Sequence, residues 1–368
     1  MSPQPLRRRV GQLLIGSFAG SVIPVELRSL AREFDLGGVT LFGRLANIES
    51  PPQVAELAFD VRALGREQPS WVGIDQEGGR VARLRSPFTE WPPMAVLGRS
   101  DDPTLAGRFA AALGAELAAV GISLDYAPVL DIHTNPKNPV IGDRALGEKP
   151  ETVAKLGRVI IEELQRAGVA ACGKHFPGHG DTATDSHFEL PLVEHPPDRL
   201  RAVEFVPFKA AIEAGVAFIM TAHVRVTSVD DDRPATLSPR IVKGMLRDEL
   251  GFTGVIVSDD LEMKAISNTY TAGEAAVAAI AAGCDAVLMC GVGAQADIEL
   301  QAQALEAIVH AVEDQRLSVK QLEEALARNR HAKERFVREW RPPTAVQLKG
   351  MIGSDKHRAI SEQMASFA

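Results

Sequence analysis

"VAACGKHFPGHGDTATDSH", residues 169–187, joins two kinds of sequence. Residues 169–176 are mostly small and apolar with no polar alternation, as expected of a strand buried on both faces. From Pro177 onward the chain turns polar. Pro177, Gly178 and Gly180 break regular structure, and the next convincing helical pattern begins near Asp198. Three of the nine histidines of the chain fall between Lys174 and His187. A strand that ends in Lys174–His175 and opens into a long polar loop places chemistry at a strand's C-terminal end.

The same grammar recurs along the chain. Short β-rich runs stand at 13–18, 38–43, 71–75, 122–131, 169–176, 217–224, 254–260 and 285–290. Amphipathic helical patterns alternate with them, at 24–34, 51–64, 103–120, 150–168, 198–215, 239–250, 272–282 and 298–314. Several end in glycine, a common helix stop: Gly168, Gly215, Gly251 and Gly283. Eight strand–helix alternations predict an α/β fold, a single-domain (β/α)8 TIM-type barrel. A doubly wound sheet competes, but it normally carries a glycine-rich phosphate loop after its first strand, and "GSFAGS" (16–21) lacks that fingerprint. The barrel domain is expected over 1–340, with a helix at 317–338 packed outside it. A polar tail follows over 341–368, with room for a short helix.

Composition narrows the setting. The chain has 368 residues, 45% of them hydrophobic, enough for a sizeable core. Its net charge of −8, with no long basic run beyond Arg7–Arg9, disfavours nucleic acid as a partner. Cys172, Cys284 and Cys290 are the only cysteines. An odd, sparse set in apolar surroundings reads as core thiols in a reducing compartment, so a cytoplasmic location is expected. "RRRVGQLLIGSFAG" (7–20) begins like an export signal, but Gln12 and Gly16 interrupt the apolar run, and it reads as a first strand. No apolar stretch is long enough for a transmembrane helix, so no membrane partner is expected, and the chain reads as a monomer.

A barrel predicts that functional groups gather at the C-terminal ends of its strands. Asp75, Asp131, Lys174–His175, His223 and Asp259–Asp260 occupy such positions. In the loop, His175, His179, Asp181, Asp185 and His187 are all metal-ligand types, so a metal-dependent barrel hydrolase is one reading; no HExxH pattern accompanies them. A solvated loop whose histidines cap carbonyls is the blandest. Acid/base work is the third: Asp185, two residues before His187, could hold one ring nitrogen and leave the other as a proton donor near neutral pH. Lys174 and His175 would then bind polar substrate groups. Asp259, at the end of "GVIVSDD" (254–260), could attack an anomeric carbon and form a covalent intermediate, or merely cap the following helix. Asp260 suits a cap or a supporting contact. Asp75 could accept hydrogen bonds from sugar hydroxyls, with Arg80 and Arg83 downstream in "GIDQEGGRVARLR" (73–85). Arg80 suits a structural ion pair better than Arg83 does. Arg144 in "NPVIGDRALG" (138–147) is a candidate ligand contact, with Asp143 expected to orient it. His223 in "MTAHV" (220–224) suits a wall position.

From about residue 10 to 335 the chain resembles glycoside hydrolase family 3, and within it the single-domain β-N-acetylglucosaminidases of peptidoglycan recycling. The likeness rests on "IDQEGGRV", "IGDRALG", "KHFPGHGDTATDSH", "MTAHV" and "VSDDLEMKAI", in family order. The long histidine motif is highly specific; "SDD" alone would be weak. The resemblance implies Asp259 as nucleophile, His187 as acid/base and Asp185 as its partner. It implies sugar-binding roles for Asp75, Arg83, Arg144, Lys174 and His175. The activity expected from it is retaining exo-hydrolysis of terminal β-N-acetylglucosamine from glycans such as peptidoglycan fragments, with no metal or organic cofactor. Phosphorolysis at the same site is the nearest alternative, since a histidine acid/base would not repel incoming phosphate as a second carboxylate would.

Overall fold

The computed structural model describes residues 5–186, 188–291 and 293–368. Eight parallel strands close a barrel in chain order: β1 (Leu14–Gly16), β2 (Gly38–Thr40), β3 (Trp71–Ile74), β4 (Leu124–Asp125), β5 (Ala170–Phe176), β6 (Phe218–Thr221), β7 (Val255–Asp260) and β8 (Ala286–Leu288). Successive side chains on a strand point to opposite faces, and the core divides accordingly. Ile15, Trp71, Leu124, Ala170, Cys172, Phe218, Val255, Val257 and Ala286 pack as one cluster inside the barrel. Their neighbours Leu14, Val72, Ala171, Ile219, Ile256 and Val287 pack in a second cluster against the surrounding helices. Trp71 and Phe218 meet edge to face inside, with centroids 5.1 Å apart.

The helices are α1 (Leu6–Gly11), α2 (Val25–Phe34), α3 (Pro51–Arg62), α4 (Met94–Ser100), α5 (Pro103–Ala119), α6 (Pro150–Arg166), α7 (Pro197–Ala202), α8 (Phe205–Glu213), α9 (Lys264–Ser267), α10 (Ala272–Ala282), α11 (Ile298–Glu313), α12 (Val319–Phe336), α13 (Ala345–Met351) and α14 (Asp355–Ala365). A π-helix, Arg240–Glu249, lies between β6 and β7. Starts follow local chemistry. Ser50 caps α3 and Asp102 caps α5, each just before a proline at the first helical position, and Thr271 with Glu274 forms a reciprocal cap on α10. Among the described residues no helix is long and apolar enough to cross a membrane.

Four local readings differ from the sequence expectation. The arginine-rich start, read as strand, is helix α1, and β1 begins only at Leu14. The run 122–131 keeps regular pairing only at Leu124–Asp125, because Pro128 has no N–H to give the ladder. The chain still follows β5: Cys172 N–H donates to Ala127 C=O at 2.9 Å and Leu130 N–H to Lys174 C=O at 2.6 Å. The helix expected over 198–215 splits into α7 and α8, since Pro207 cannot donate to a carbonyl one turn back. Finally, α12 does not join the outer ring. Its Ala332 and Phe336 pack with the barrel-interior cluster, and Lys333 Nζ reaches Gln12 Oε1 at 2.8 Å, just before β1. This helix covers the N-terminal end of the barrel, leaving the C-terminal end as the mouth.

Candidate active site

The alternation that fills the barrel also positions the mouth. Counting in twos from inward Trp71, Ala170 and Val255 leads to Asp75, Lys174 and Asp259. Strands β5 and β7 each shift register near these ends, a device that re-aims side chains.

Five charged residues interlock there. Lys174 Nζ donates to Asp75 Oδ1 at 2.9 Å and pairs with Glu77 Oε1 at 2.6 Å. Arg144 grips Glu77 bidentately, Nε to Oε2 at 2.9 Å and Nη2 to Oε1 at 2.8 Å. Arg83 Nη2 donates to Asp75 Oδ2 at 3.1 Å. The Lys174 and Glu77 side chains are only 2% and 1% exposed, so these charges have little water to fall back on. Burial alone would raise both carboxyls. Lys174 and Arg83 outweigh it at Asp75, and Arg144 and Lys174 outweigh it at Glu77, so both sit below the ordinary carboxylate range. Burial likewise opposes the Lys174 ammonium, yet Asp75 and Glu77 hold it firmly protonated. The array is therefore a fixed set of donors and acceptors, suited to holding hydroxyl-rich ligands and unsuited to proton transfer near neutral pH.

Backbone geometry fixes the array. After β3 a hairpin pairs Gln76–Gly78 with Val81–Ala82. Gly78 and Gly79 turn it with φ of +112° and +56°, a region that side chains with a Cβ rarely enter. Gln76 Oε1 accepts the N–H groups of Arg83 and Leu84 at 2.7 and 2.9 Å. Beneath lies buried Asp125, whose Oδ1 accepts the Gln76 N–H at 2.9 Å; burial raises its carboxyl well above the usual range.

Beside the array, Asp131 organises the start of the histidine loop. Its Oδ2 accepts from His175 Nδ1 at 2.6 Å and its Oδ1 from the His179 N–H at 2.7 Å. This contact fixes the His175 tautomer and directs Nε2 away from Asp131. His179 is buried, with Nδ1 at 2.7 Å from Thr182 Oγ1 and Nε2 at 3.1 Å from Ser186 Oγ; burial lowers it to about 4. It is a neutral strut of the loop. Gly180 passes so close to Ile132 that a Cβ would lie 1.8 Å from the Ile132 carbonyl oxygen. Asp181 accepts from Thr134 Oγ1 at 2.7 Å and pairs with His195. Asp185 follows, half-buried, its carbonyl accepting the Phe188 N–H at 3.0 Å. His187 lies outside the described residues.

Across the mouth, Asp259 Oδ1 accepts the Asp260 N–H at 2.8 Å. Its charge acts on Cys172, as do those of Lys174 and Asp75, and also on His179. Asp259 and the array thus share one end of the barrel. Asp260 turns to the loop after β8: its Oδ1 accepts from Cys290 N–H and Glu262 N–H, both at 3.1 Å. Burial, then the Glu262 charge, pushes Asp260 up to about 8. His223 is buried, with Nδ1 at 2.8 Å from Thr236 Oγ1 and Nε2 at 2.9 Å from the Asp260 carbonyl.

Two sequence readings need correction or addition. Asp143 does not orient Arg144; its Oδ1 accepts from Arg80 Nε at 2.9 Å, and Glu77 orients Arg144 instead. Glu77 is a site residue absent from the sequence candidates. A signal existed: two cations, Lys174 and Arg144, needed a second buried carboxylate, and Glu77 stands two residues after Asp75. The loop's ligand-type side chains are engaged separately, His175 by Asp131, His179 by Thr182 and Ser186, and Asp181 by His195. Among the described residues no group of three His, Cys, Asp or Glu side chains converges to hold a metal ion.

Comparison with known proteins gives the family of the chain. Residues 5–331 match the glycosyl hydrolase family 3 N terminal domain. The chain is 33% identical to Beta-hexosaminidase A of Pseudoalteromonas piscicida over 95% of its own length, and covers 61% of that protein. It is 41% identical to a Beta-hexosaminidase of Nitrosomonas eutropha over 69% of its length, covering 74% of that relative. A glycoside hydrolase family 3 β-N-acetylglucosaminidase from Paenibacillus sp. superposes with a TM-score of 0.91 at 40% identity, over 99% of this chain and 69% of that one. The chain belongs to glycosyl hydrolase family 3.

Proposed function

We propose that the chain is a β-N-acetylhexosaminidase, a retaining exo-glycosidase releasing terminal non-reducing β-N-acetylglucosamine. The observation that carries the reading is the joint presence, at one barrel mouth, of a locked donor–acceptor array and a separate strand-end carboxylate. Asp75, Arg83, Arg144, Lys174 and His175 hold the sugar hydroxyls, and Asp259 attacks the anomeric carbon. His187, partnered by Asp185, gives its proton to the departing oxygen in the first step. In the second, neutral His187 takes a proton from water, which displaces Asp259 from the anomeric carbon.

Burial supports this division of labour. Asp75 and Glu77 are too well neutralised by Lys174, Arg83 and Arg144 to act as proton donors near neutral pH. Asp260, the other carboxylate beside Asp259, points its Oδ1 at backbone N–H groups. The names of the relatives support the N-acetylhexosaminide class. The resemblance supports muropeptide-like fragments of peptidoglycan as the finer substrate, and the sparse free cysteines support a cytoplasmic place of action.

The test is release of p-nitrophenol from the β-N-acetylglucosaminide and the β-glucoside, in phosphate-free buffer with chelator. Wild type, Asp259→Ala and His187→Ala run side by side. Chelator-resistant turnover of the first substrate, abolished in Asp259→Ala, is expected. Turnover only on adding phosphate would move the reading to phosphorolysis, and turnover only on adding zinc to a metal hydrolase.

A further inference from the structure

Residues 344–368 lie beyond the family match, which ends at residue 331. They form α13 and α14, which pack on α3, α4 and α5. Leu348, Ile352, Ile360 and Met364 join the main core, and one buried carboxylate ties the tail to the loop after β3. Glu116, in the last turn of α5 and 2% exposed, accepts four hydrogen bonds. Two come from the loop after β3: Thr89 N–H at 2.9 Å and Thr89 Oγ1 at 2.6 Å. Two come from the tail: Gly353 N–H at 2.9 Å and His357 Nδ1 at 2.7 Å.

The loop so gripped is the one that carries Arg83. Gly79 N–H donates to Trp91 C=O at 2.8 Å and closes it. Inside, Gln76 holds the Arg83 and Leu84 N–H groups, and Phe88 N–H reaches Arg85 C=O at 3.0 Å. The outer limb, 86–90, rests on the tail. Gly353 lies so close that a Cβ there would sit 2.1 Å from the Pro87 carbonyl oxygen. Ser361 Oγ donates to Glu90 C=O at 2.6 Å. The support reaches Arg144 as well: α4 packs on α14, and Gly98 of α4 lies against the Leu146 backbone, where a Cβ would come within 1.7 Å of the Leu146 carbonyl oxygen.

We propose that residues 344–368 are a built-in buttress for the sugar site, with Glu116 and His357 as positioning residues that set substrate affinity through Arg83. The proposal rests on the sugar-binding role given to Arg83 above. Arg83 pairs with Asp75, and a hydroxyl held between them would be held alike in the ground and transition states. Loosening the loop therefore removes uniform binding, which raises KM and spares kcat.

The test is a double-mutant cycle of His357→Ala and Arg83→Ala on the p-nitrophenyl β-N-acetylglucosaminide, using the full chain. His357→Ala alone is expected to raise KM about fivefold with kcat within about twofold. His357→Gln, which keeps an N–H donor, should restore much of the affinity. In the Arg83→Ala background the effect of His357→Ala should vanish, as expected when one residue acts through the other. A KM unmoved by His357→Ala, or raised by the same factor in both backgrounds, overturns the buttress. Arg83→Ala without effect on KM or kcat sinks the sugar-binding reading itself, and the route through Arg83 with it. Should His357→Ala fail to fold, Ser361→Ala, which removes the hydrogen bond to Glu90 C=O, carries the test: KM up about twofold supports the proposal, and an unchanged KM refutes it.

Discussion

Replacing Glu77 with glutamine keeps the side-chain shape and removes the charge that Lys174 and Arg144 share. The Glu77 carboxyl sits at about 2 against an ordinary 4.5, although burial acts to raise it. A displacement of that size corresponds to about 3 kcal/mol of stability at neutral pH. Leaving a buried cation without its partner independently costs about 3–5 kcal/mol. Because the folded-state value is depressed, this stability is fully present above the unfolded value near 4.5 and is lost as pH falls toward 2. Urea unfolding of wild type and Glu77→Gln at pH 7, 5 and 3 is the assay. The gap should be about 3 kcal/mol at pH 7, nearly unchanged at pH 5 and smaller at pH 3. KM should rise as well, since Arg144 loses the fork that aims it. Equal midpoints at pH 7, or a gap that widens in acid, would refute the reasoning.

Lys333 is buried at the closed end of the barrel, and burial lowers its ammonium from 10.5 to about 7. The unfolded chain then holds more protons between those values, so wild-type stability should climb from pH 7 to pH 9; Lys333→Met should flatten that climb and gain about 1–4 kcal/mol at pH 7, read by urea titration. Asp260, pushed up to about 8 by burial, is largely protonated at neutral pH. Its raised value favours the folded state only at low pH, and that advantage is lost as pH rises through 8, so Asp260→Asn should raise Tm more at pH 9 than at pH 5, seen by calorimetry. Cys172, Cys284 and Cys290 are buried, and burial raises all three thiols. An aromatic disulfide reagent should therefore titrate none of them in the native protein and all of them in guanidinium.

The barrel was legible because each strand is a continuous apolar run bounded by helix starts and glycine stops, a pattern that tertiary context rarely overrides. Misread pieces depended on single residues with non-local consequences. Pro128 thins β4 and Pro207 divides α7 from α8. The seating of α12 beneath the barrel turns on Lys333, Ala332 and Phe336 meeting residues far away in sequence. At the mouth, Asp75 and Lys174 could be found because strand ends are recognisable. Their partner Glu77 could not be assigned from spacing alone, because its meaning comes from Arg144, 67 residues away. Asp143 misled for the complementary reason. It adjoins Arg144 in sequence, yet the turn at Gly142–Arg144 sends it outward to Arg80. Glu116 gave no signal, since a single acid on the apolar face of α5 acquires its role only when Thr89, Gly353 and His357 converge on it.

The central claim is that Asp259 becomes covalently bonded to the sugar. A fluorinated N-acetylglucosaminyl fluoride, which slows both steps but keeps a good leaving group, should accumulate that species. Mass spectrometry of the quenched, pepsin-digested protein then reads where the label sits. One sugar on the peptide containing Asp259, absent in Asp259→Ala, is the predicted result. Turnover with no labelled peptide, or a label on another carboxylate, would contradict the account.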